Sequence, residues 1–463
     1  MAINTAASQL AGDVIPLVIA EMALPLAKKY LVAYQFADKH TMPKHSGVNY
    51  QFTRYSRVNL PFAALTEGSP PTSQSMTLTT ATAVATQWSN AITISDVAEI
   101  TPKHDVFQQG VKLLGMNIGE MMERNAYTAA QGLLAGTNVN YAAGAASRAA
   151  LVNGNVLTSH EINRAVGVLS MTGAPRFEGK EGEDVKEDPK VLKAAGPAHY
   201  CAIVHPLVSQ DLAEDTTIST AWSRSDISRL YNSEVGQWRG VRFCSSNMVP
   251  KFVGVAAING ADSGSGSSTF ASTNYFIQVT GAPALTSMEE RIYQASASIA
   301  VTAGHNISVT LPTLAGYVFN VYVGTSANPT NLALSTSGPV SGALAGNAVQ
   351  LASGSTVLLN GIGATQAPPA APATGVTVYP TFVIGKGAYG AVELDAAKFF
   401  YLKDADKSDI ANQLRVMSYK VFYGMVIKNQ AFMLRVESGS AFSANPDSGA
   451  ITNVSPYTGG VTF

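Results

Sequence analysis

The 463-residue sequence predicts an α+β fold that carries an additional all-β segment. One observation is a long apolar stripe with helical spacing between Val106 and Leu134. A second is the alternation of polar and apolar residues in short runs before and after this stripe. The third is a stretch of 94 residues, from Ile292 to Gly385, without any Asp, Glu, Lys or Arg. Helices and strands that occupy separate parts of a chain are typical of the α+β class.

The composition favours a protein that works in contact with copies of itself. Charged residues make up 13% of the chain, about half of the ~25% of an average soluble domain. So few charges limit the solubility of a lone globule, but not of a subunit packed in an assembly. The formal net charge of −1 argues against a dedicated nucleic-acid binder, while it allows a weak, non-specific contact with DNA.

The cellular compartment is predicted from cysteine usage and from the N-terminal residues. Cys201 and Cys244 are too few for a disulfide framework, which favours a reducing cytoplasm. The first residues lack the basic start of a signal peptide. The apolar run from Val14 to Ala27 contains Glu21 and two prolines, and it is shorter than a membrane helix requires. We therefore expect neither export nor a membrane span.

The first two predicted segments are an N-terminal arm and a long extended loop. Residues 1–45 have apolar positions at helical spacing that is broken twice by proline, so this segment is either an ordinary amphipathic helix or an arm that crosses a neighbouring subunit. Residues 46–98 contain two alternating runs, Tyr50–Tyr55 and Thr86–Ser95, which predict two strands joined by a long extended excursion. Two strands alone are marginally stable, so this loop needs a surface to lie on.

Residues 99–252 are predicted to hold the main helices and a buried strand. The apolar stripe predicts a helix of about thirty residues, roughly 45 Å long, which begins near Thr101 and ends near Gly136. A second helix is predicted for Ser159–Met171, with Thr158 and Glu161 at the spacing of a capping box.

The rest of this region combines a charged stretch with further strands. Residues 176–193 carry eleven charged side chains of both signs, which indicate either a solvated loop or a contact patch. His199–His205 is predicted as a buried strand, and Pro206 as the start of a helix that runs through Leu212. Gly236–Phe243 is predicted as a turn that leads into another strand.

The charge-free stretch predicts a β-sandwich inserted at residues 253–378. Its short Val-, Ile-, Tyr- and Thr-rich runs are separated by Gly, Pro, Asn and Ser, which is typical of the short strands of a β-sandwich. The Pro/Ala-rich residues Ala367–Thr374 are interpreted as its exit linker. Residues 379–463 complete the chain, with two more strands predicted within Arg415–Glu437.

Two motifs carry possible chemistry, and neither predicts a catalytic, cofactor or metal site. Gly385–Val392 fits the glycine-rich pattern of nucleotide-binding loops, but the other parts of a dinucleotide site or a kinase are missing, so a strand connection is favoured. His199, Cys201 and His205 share one strand face, and with Cys244 they offer metal ligands in principle. Their spacing matches no compact zinc motif, and core residues of a buried strand are the favoured interpretation. An enzyme is the least favoured class.

The order of these segments resembles the Hong Kong 97-type coat protein of tailed bacteriophages. Five stretches of local sequence are also similar to a large coat-protein family of podovirus-like phages: Gln87–Asp96, Met116–Arg124, Val241–Pro250, Phe382–Leu394 and Ser418–Val436. The resemblance covers about residues 1–250 and 380–463. It implies an N-terminal arm, an extended E-loop, a P domain with a long spine helix and an A domain. The immunoglobulin-like insertion is a departure from the common pattern.

The resemblance implies a major capsid protein without catalytic residues. Its subunits would form hexamers and pentamers of an icosahedral head around double-stranded DNA, with scaffolding, portal and decoration proteins as partners. The location would be the virion, with assembly in the cytoplasm of the host bacterium. Residues 1–57 carry six Lys and Arg and three acids, a net of +3, which favours an inward-facing arm. The inserted domain would face outward, because an inward position would crowd the genome.

Two alternatives remain open at this point. One is an encapsulin-like nanocompartment, which has the same fold and encloses enzyme cargo. The other is a β-sandwich adhesin that binds surface glycans, which would require export.

Overall fold

The protein is described here by a computed structural model. It describes residues 25, 27–28, 30–43, 45, 47–56, 58–60, 73–100, 106–128, 132–177, 198–219, 231, 233–283, 288–314, 317–335, 338–339, 351–352, 354, 356–402 and 413–443. The chain divides into two compact units. The first comprises residues 1–136 and 385–432, and the second comprises residues 137–384 and 433–463.

Strands and helices are numbered in chain order. The strands are β1 Asp38–Thr41, β2 Asn49–Tyr55, β3 Leu78–Val84, β4 Thr86–Ser95, β5 Val139–Tyr141, β6 Tyr200–Val204, β7 Glu234–Trp238, β8 Val241–Ser245, β9 Phe252–Val255, β10 Gly260–Asp262, β11 Thr273–Pro283, β12 Arg291–Tyr293, β13 Ile299–Val301, β14 Ile307–Thr310, β15 Tyr317–Gly324, β16 Asn331–Ser335, β17 Gly338–Pro339, β18 Leu351–Ala352, β19 Thr356–Thr365, β20 Thr377–Ile384, β21 Tyr389–Leu402, β22 Leu414–Ile427 and β23 Met433–Ser438. The helices are α1 Asp96–Ile100, α2 Val106–Ala126, α3 Ser159–Met171 and α4 Pro206–Glu214. The predicted α+β class is confirmed in this sheet-rich mixture.

The first unit is built on a four-stranded sheet in the order β1-β21-β22-β4. β22 pairs antiparallel with both β21 and β4, and β1 pairs parallel with β21. Helix α2 packs on one face of this sheet. Gly110 of α2 lies against Met417 and Ile94, and the rings of Phe107 and Tyr401 meet edge to face at 5.2 Å.

The predicted spine helix exists, but its predicted end near Gly136 was wrong. α2 has 21 residues and ends at Ala126, so it is roughly 32 Å long at ~1.5 Å per residue. Past Ala126 the chain turns, with the Tyr127 amide donating to the Arg124 carbonyl at 3.0 Å. Leu133 belongs to a separate short 3₁₀ turn, Leu133–Ala135, and its burial there extended the apolar pattern beyond the true helix end. The predicted start at Thr101 lies outside the described residues.

Where the sequence predicted two strands in the extended loop, its described residues form three. β2 and β3 form an antiparallel hairpin, with Asn49 opposite Val84 and Tyr55 opposite Leu78. β4, the second of the two predicted strands, pairs with β22. β3 is rich in threonine and alanine, and such a strand has a weak apolar alternation. Residues 61–72, the centre of the predicted excursion, lie outside the described part of the chain.

The core of the second unit is a mixed sheet in which β6 and β20 are buried at every residue. β20 pairs antiparallel with β6 and β23, while β6 runs parallel to β8 and β23 runs parallel to β5. The predicted strand within His199–His205 and the helix that begins at Pro206 are confirmed. The predicted turn into a strand is present at Arg239 and Gly240, whose φ angles are 51° and 76°. Residues 236–238, predicted as part of this turn, belong to strand β7, which pairs antiparallel with β8.

Helix α3 matches its predicted bounds, but its cap differs from the prediction. Thr158 is the N-cap residue, yet no side-chain hydrogen bond caps the helix there. Asp215 accepts from the Ser159 amide at 2.9 Å, and Glu161 is buried and accepts from the Asn140 side chain at 3.3 Å. The capping-box prediction was wrong because these distant groups satisfy the first turn. Past the helix end, Gly173 has a φ of 67°, as is common for the glycine that ends a helix.

The described part of the region predicted as a β-sandwich is built mainly of antiparallel strands around one apolar core. Its longest pair is β11 with β15, in register from Phe276 opposite Gly324 to Pro283 opposite Tyr317. The core is formed by Phe270, Tyr275, Ile277, Val279, Tyr293, Ile299, Val301, Ile307, Val309, Leu311, Phe319, Val321, Val323, Ala333, Val357 and Leu359. The immunoglobulin-like character and the boundaries at 253 and 378 remain predictions.

The two predicted ends of this region are neighbours in a sheet. Phe252 pairs with Val378 and Val253 with Thr377, while β9 also pairs parallel with β12. The predicted exit linker is not a free spacer. The Pro372 carbonyl accepts from the Gln294 side chain, and the Ala370 carbonyl accepts from the Arg148 guanidinium at 2.9 Å. Residues 367–374 are therefore tied to other parts of the second unit at Ala370 and Pro372.

Candidate assembly surfaces

A buried carboxylate fixes the described part of the N-terminal segment to helix α2. Glu123 is fully buried, and its two oxygens accept from the Val32 amide at 2.9 Å and from the Ala33 amide at 2.8 and 3.0 Å. The Tyr127 hydroxyl donates to the same carboxylate at 2.6 Å. Because hydrogen bonds to a buried charge are the strong ones, this single side chain sets the path of the segment across the helix.

A second anchor lies four residues before Glu123 on α2. Gly119 is so close to the segment that a Cβ atom there would lie 2.6 Å from the Ala27 carbonyl oxygen. Farther along the segment, Tyr34 donates to Glu393 of β21. Burial, with the help of this carboxylate, raises the pKa of the Tyr34 hydroxyl well above its ordinary value. The hydroxyl therefore stays a donor at every physiological pH.

The base of the β2–β3 hairpin is a small aromatic and apolar cluster. Phe52 is buried with Met42, Ala83, Ala85 and Val392. The His40 ring stacks on Tyr50 at 5.3 Å, and the Lys428 ammonium lies 4.7 Å from the centre of the Phe52 ring. These contacts fix where the hairpin leaves the unit.

An ion pair closes the same base. Lys428 donates to the carboxylate of Asp38 on β1. Partial burial alone would raise the pKa of Asp38, but the ammonium of Lys428 outweighs it and holds that pKa below its ordinary value. The carboxylate therefore stays charged well into the acid range.

Farther from this base, the described residues of the hairpin form no such core. Ser56 and Thr77 continue the pairing with an amide-to-carbonyl bond of 2.9 Å, and the Asn59 amide donates to the Gln74 side chain at 2.9 Å. Around these bonds, large apolar side chains are exposed to solvent: Tyr55 at 63%, Val58 at 55%, Leu60 at 77%, Met76 at 73% and Leu78 at 50%. We call these five side chains the hairpin tip cluster. An exposed apolar group of this kind is typical of a contact surface.

The two chemical motifs of the sequence have structural positions. Gly385–Tyr389 joins strand β20 to strand β21, as the strand-connection interpretation predicted, and no helix follows the glycines. The Cys201 thiol is buried, and burial raises its pKa well above the ordinary value. His199 hydrogen-bonds to the Tyr231 hydroxyl at 2.9 Å, and the His205 ring caps α4 by accepting from the Leu207 amide at 3.2 Å. Each of these side chains thus has its own structural partner.

Among the described residues, no group of three or more His, Cys, Asp or Glu is placed to hold a metal ion. Within the same residues, no helix is long and apolar enough to cross a membrane.

Sequence reasoning found the hairpin and the helix, but it missed Glu123 and the hairpin tip cluster. Glu120 and Glu123 both lie in the second half of this amphipathic helix, and nothing in the sequence indicates that Glu123 is buried. The exposed apolar residues of the hairpin have the same alternation as residues that face a core. Their spacing alone therefore could not separate the two.

No family model matches the sequence, and no curated protein matches it. The chain is similar in structure to phage capsid proteins. The capsid of Ralstonia phage GP4 is 10% identical, with 89% of this chain and 92% of that chain covered and a TM-score of 0.45. The head of Helicobacter pylori bacteriophage KHP40 is 8% identical, with 87% of each chain covered and a TM-score of 0.45. The capsid of the cyanophage Pam1 is 10% identical, with 86% of each chain covered and a TM-score of 0.44.

Since every one of these TM-scores is below 0.5 and every identity below 25%, the likenesses by themselves assign neither a family nor an activity.

Proposed function

We propose that this chain is the major capsid protein of a tailed bacteriophage. Its copies assemble as hexamers and pentamers into an icosahedral shell that encloses double-stranded DNA. The virion is its location, and assembly takes place in the host cytoplasm. Scaffolding, portal and decoration proteins are its partners in this proposal, and the segment 1–57 with its net charge of +3 faces the packaged DNA without reading its sequence.

The hairpin tip cluster is the observation that carries this proposal. The hairpin is held at its base by the Phe52 cluster, while its tip exposes five large apolar side chains. Burying one such side chain contributes about 1.5–3 kcal/mol. When a neighbouring copy covers the tip, the assembled state is therefore stabilised by several kcal/mol. An isolated subunit lacks this stabilisation.

A closed shell multiplies this modest contact. In a ring of copies, the hairpin of each subunit contacts one neighbour, and the hairpin of another neighbour contacts that subunit. A subunit can therefore leave the ring only if several contacts break at once. The low charge content supports the same reading, because a surface with few charges costs little to desolvate when copies pack together.

The first test is the assembly state of the purified full-length chain. We expect regular particles or capsomers by light scattering and negative-stain microscopy. A well-behaved monomer at high concentration would contradict the proposal. Particles that enclose nucleic acid favour a capsid, while particles that retain only protein cargo favour the encapsulin-like alternative.

The second test removes the apolar character of the hairpin tip. The double change L60D/M76D places two carboxylates where a neighbour would bury apolar surface, so assembly should fall at least tenfold while the subunits stay folded. Deleting the whole loop is a poorer test, because β3 contributes the buried Ala83 to the hairpin base. The matched control is M171D, since Met171 is 89% exposed on helix α3 of the second unit. Equal particle yields from L60D/M76D and M171D would remove the hairpin from the assembly contacts.

A further inference from the structure

Among the described residues, strand β4 is an open edge of the four-stranded sheet. It is the last strand in the order β1-β21-β22-β4, and within the described residues it pairs with β22 alone. Its ten residues include neither a charged residue nor a proline. The opposite edge, β1, has only four residues and carries Asp38 and Lys39. Soluble proteins protect sheet edges with charge, proline or short length, so a long neutral edge indicates a partner strand.

The backbone groups of alternate β4 residues point to the open side. The Asp96 amide donates to the Gln413 carbonyl at 2.9 Å, which places even-numbered residues toward β22. The Ala91 amide instead donates to the side-chain oxygen of Asn90 at 2.9 Å. Odd-numbered residues therefore present their amides and carbonyls to the open edge, and Gln87, Ser89, Ala91 and Thr93 are all exposed there.

On the side that faces away from β22, strand β2 of the hairpin pairs with the chain only as far as Ala85. β2 pairs with β3, and the Ala85 amide donates to the Val48 carbonyl at 2.9 Å. β2 begins at Asn49, so its cover ends where β4 starts at Thr86. Within the described part of the chain, this side is thus paired along β3 and has no backbone partner along β4.

We propose that β4 pairs antiparallel with β4 of a second copy of this chain, across a two-fold axis at Asn90. This pairing rests on the proposed self-assembly and adds a specific contact to it. In this register Ser89 faces Ala91 of the second copy and Gln87 faces its Thr93, so all four exposed odd-numbered residues gain backbone partners. On the face that carries α2, Trp88 meets Ile92 and Asn90 meets Asn90.

The second copy fits this edge better than a strand of different composition. Because β4 has no charged residue, self-pairing brings no like charges together in any register. A two-fold axis makes one patch serve both partners, which is the commonest way in which identical subunits associate. Ser89 and Ala91 have small side chains, so the two backbones can approach to sheet spacing.

Disulfide trapping tests the register directly. Directly opposite residues in a non-hydrogen-bonded antiparallel pair have Cα atoms about 4.5 Å apart, within the range a disulfide spans. The variant N90C should therefore form disulfide-linked dimers in assembled protein under mild oxidation, in at least tenfold excess over Q87C. Gln87 is an exposed residue of the same strand, and in this register the two copies of it are six residues apart along the strand. The native Cys201 and Cys244 are both buried and do not compete.

A second variant tests the edge without a disulfide. A91P removes the amide that faces the open side, and proline is tolerated at such an edge position because no bond to β22 is lost. We expect A91P to lower the yield of shells at least tenfold relative to A91S, with unchanged thermal unfolding of the subunit.

The outcomes separate this pairing from the proposed function. If the unmodified chain stays monomeric, the proposed function fails and the pairing fails with it. If shells form in which N90C remains a free thiol and A91P assembles as well as A91S, the pairing alone is overturned. A disulfide from N90C to a different polypeptide would overturn it as well.

Discussion

Buried polar side chains in this protein serve mainly to fix backbone segments. Glu123 accepts from two consecutive amides, and Arg148 binds Glu437 through two nitrogens at 2.7 and 2.6 Å while it donates to the Ala370 carbonyl. Such groups cost free energy when buried alone, and they are retained where every donor and acceptor is satisfied. His205 belongs to the same class, and it adds a dependence on pH.

His205 should make folding stability fall in acid. Burial, and then the charge of Lys251, lowers the pKa of the ring from 6.5 to about 3. Below pH 6.5 the ring is protonated in the unfolded chain but stays neutral in the folded protein. The contribution of His205 to folding stability is therefore complete above pH 6.5 and is lost as the pH falls toward 3. The loss is at most about 1.4 kcal/mol per pH unit.

The measurement is urea unfolding of H205N and the unmodified chain at several pH values between 7 and 4. Asparagine keeps an N-cap acceptor but does not titrate, so H205N should lose less stability across this range. H160N is the matched control, because His160 is an exposed residue in the first turn of α3. Parallel pH profiles for H205N and the unmodified chain would contradict the assignment.

At the scale of elements, two helical glycines should respond in opposite ways to alanine. A Cβ at Gly119 of α2 would lie 2.6 Å from the Ala27 carbonyl oxygen, while a Cβ at Gly167 of α3 would meet nothing within 4 Å. G167A should therefore raise the free energy of unfolding by about 0.5–1 kcal/mol. G119A should displace the N-terminal segment and speed trypsin cleavage after Lys28. Equal cleavage rates in G119A and G167A would show that the segment does not depend on this close approach.

At the scale of the whole molecule, the β-rich region should be separable from the rest of the second unit. Phe252 pairs with Val378, so the two junctions already lie side by side and a short connection can join them. We expect a chain in which a short Gly/Ser linker replaces residues 256–374 to fold and to assemble. The cut keeps β9, β20 and the bond between Arg148 and Glu437, although it removes β12 from the side of β9.

Cooperative thermal unfolding by circular dichroism and particles by electron microscopy would confirm that the shell can do without this region. The excised region on its own should give a β-type circular dichroism spectrum. An insoluble truncated chain, or an excised region without structure, would contradict the modular interpretation.

The sequence by itself determined the elements whose signals are local. α3 follows its apolar spacing from Ser159 to the glycine at 173, and α4 begins at Pro206, because helix periodicity and end residues act within a few positions. The hairpin turn at Arg239 and Gly240 and the existence of strands in the charge-free stretch are of the same kind.

Only the tertiary structure decided which groups meet. β4 pairs with β22 through backbone amides and carbonyls, which nearly every residue has. The spacing of side chains in the sequence therefore could not identify β22 as the partner of β4. The end of α2 at Ala126, the burial of Glu123 and the cap of α3 by Asp215 depend on contacts with residues far away in the chain. The open edge of β4 and the exposed tip of the hairpin follow from the same cause. The elements that pack on an apolar or neutral strand decide whether it faces a core or solvent. The sequence of the strand itself has the same pattern in both cases.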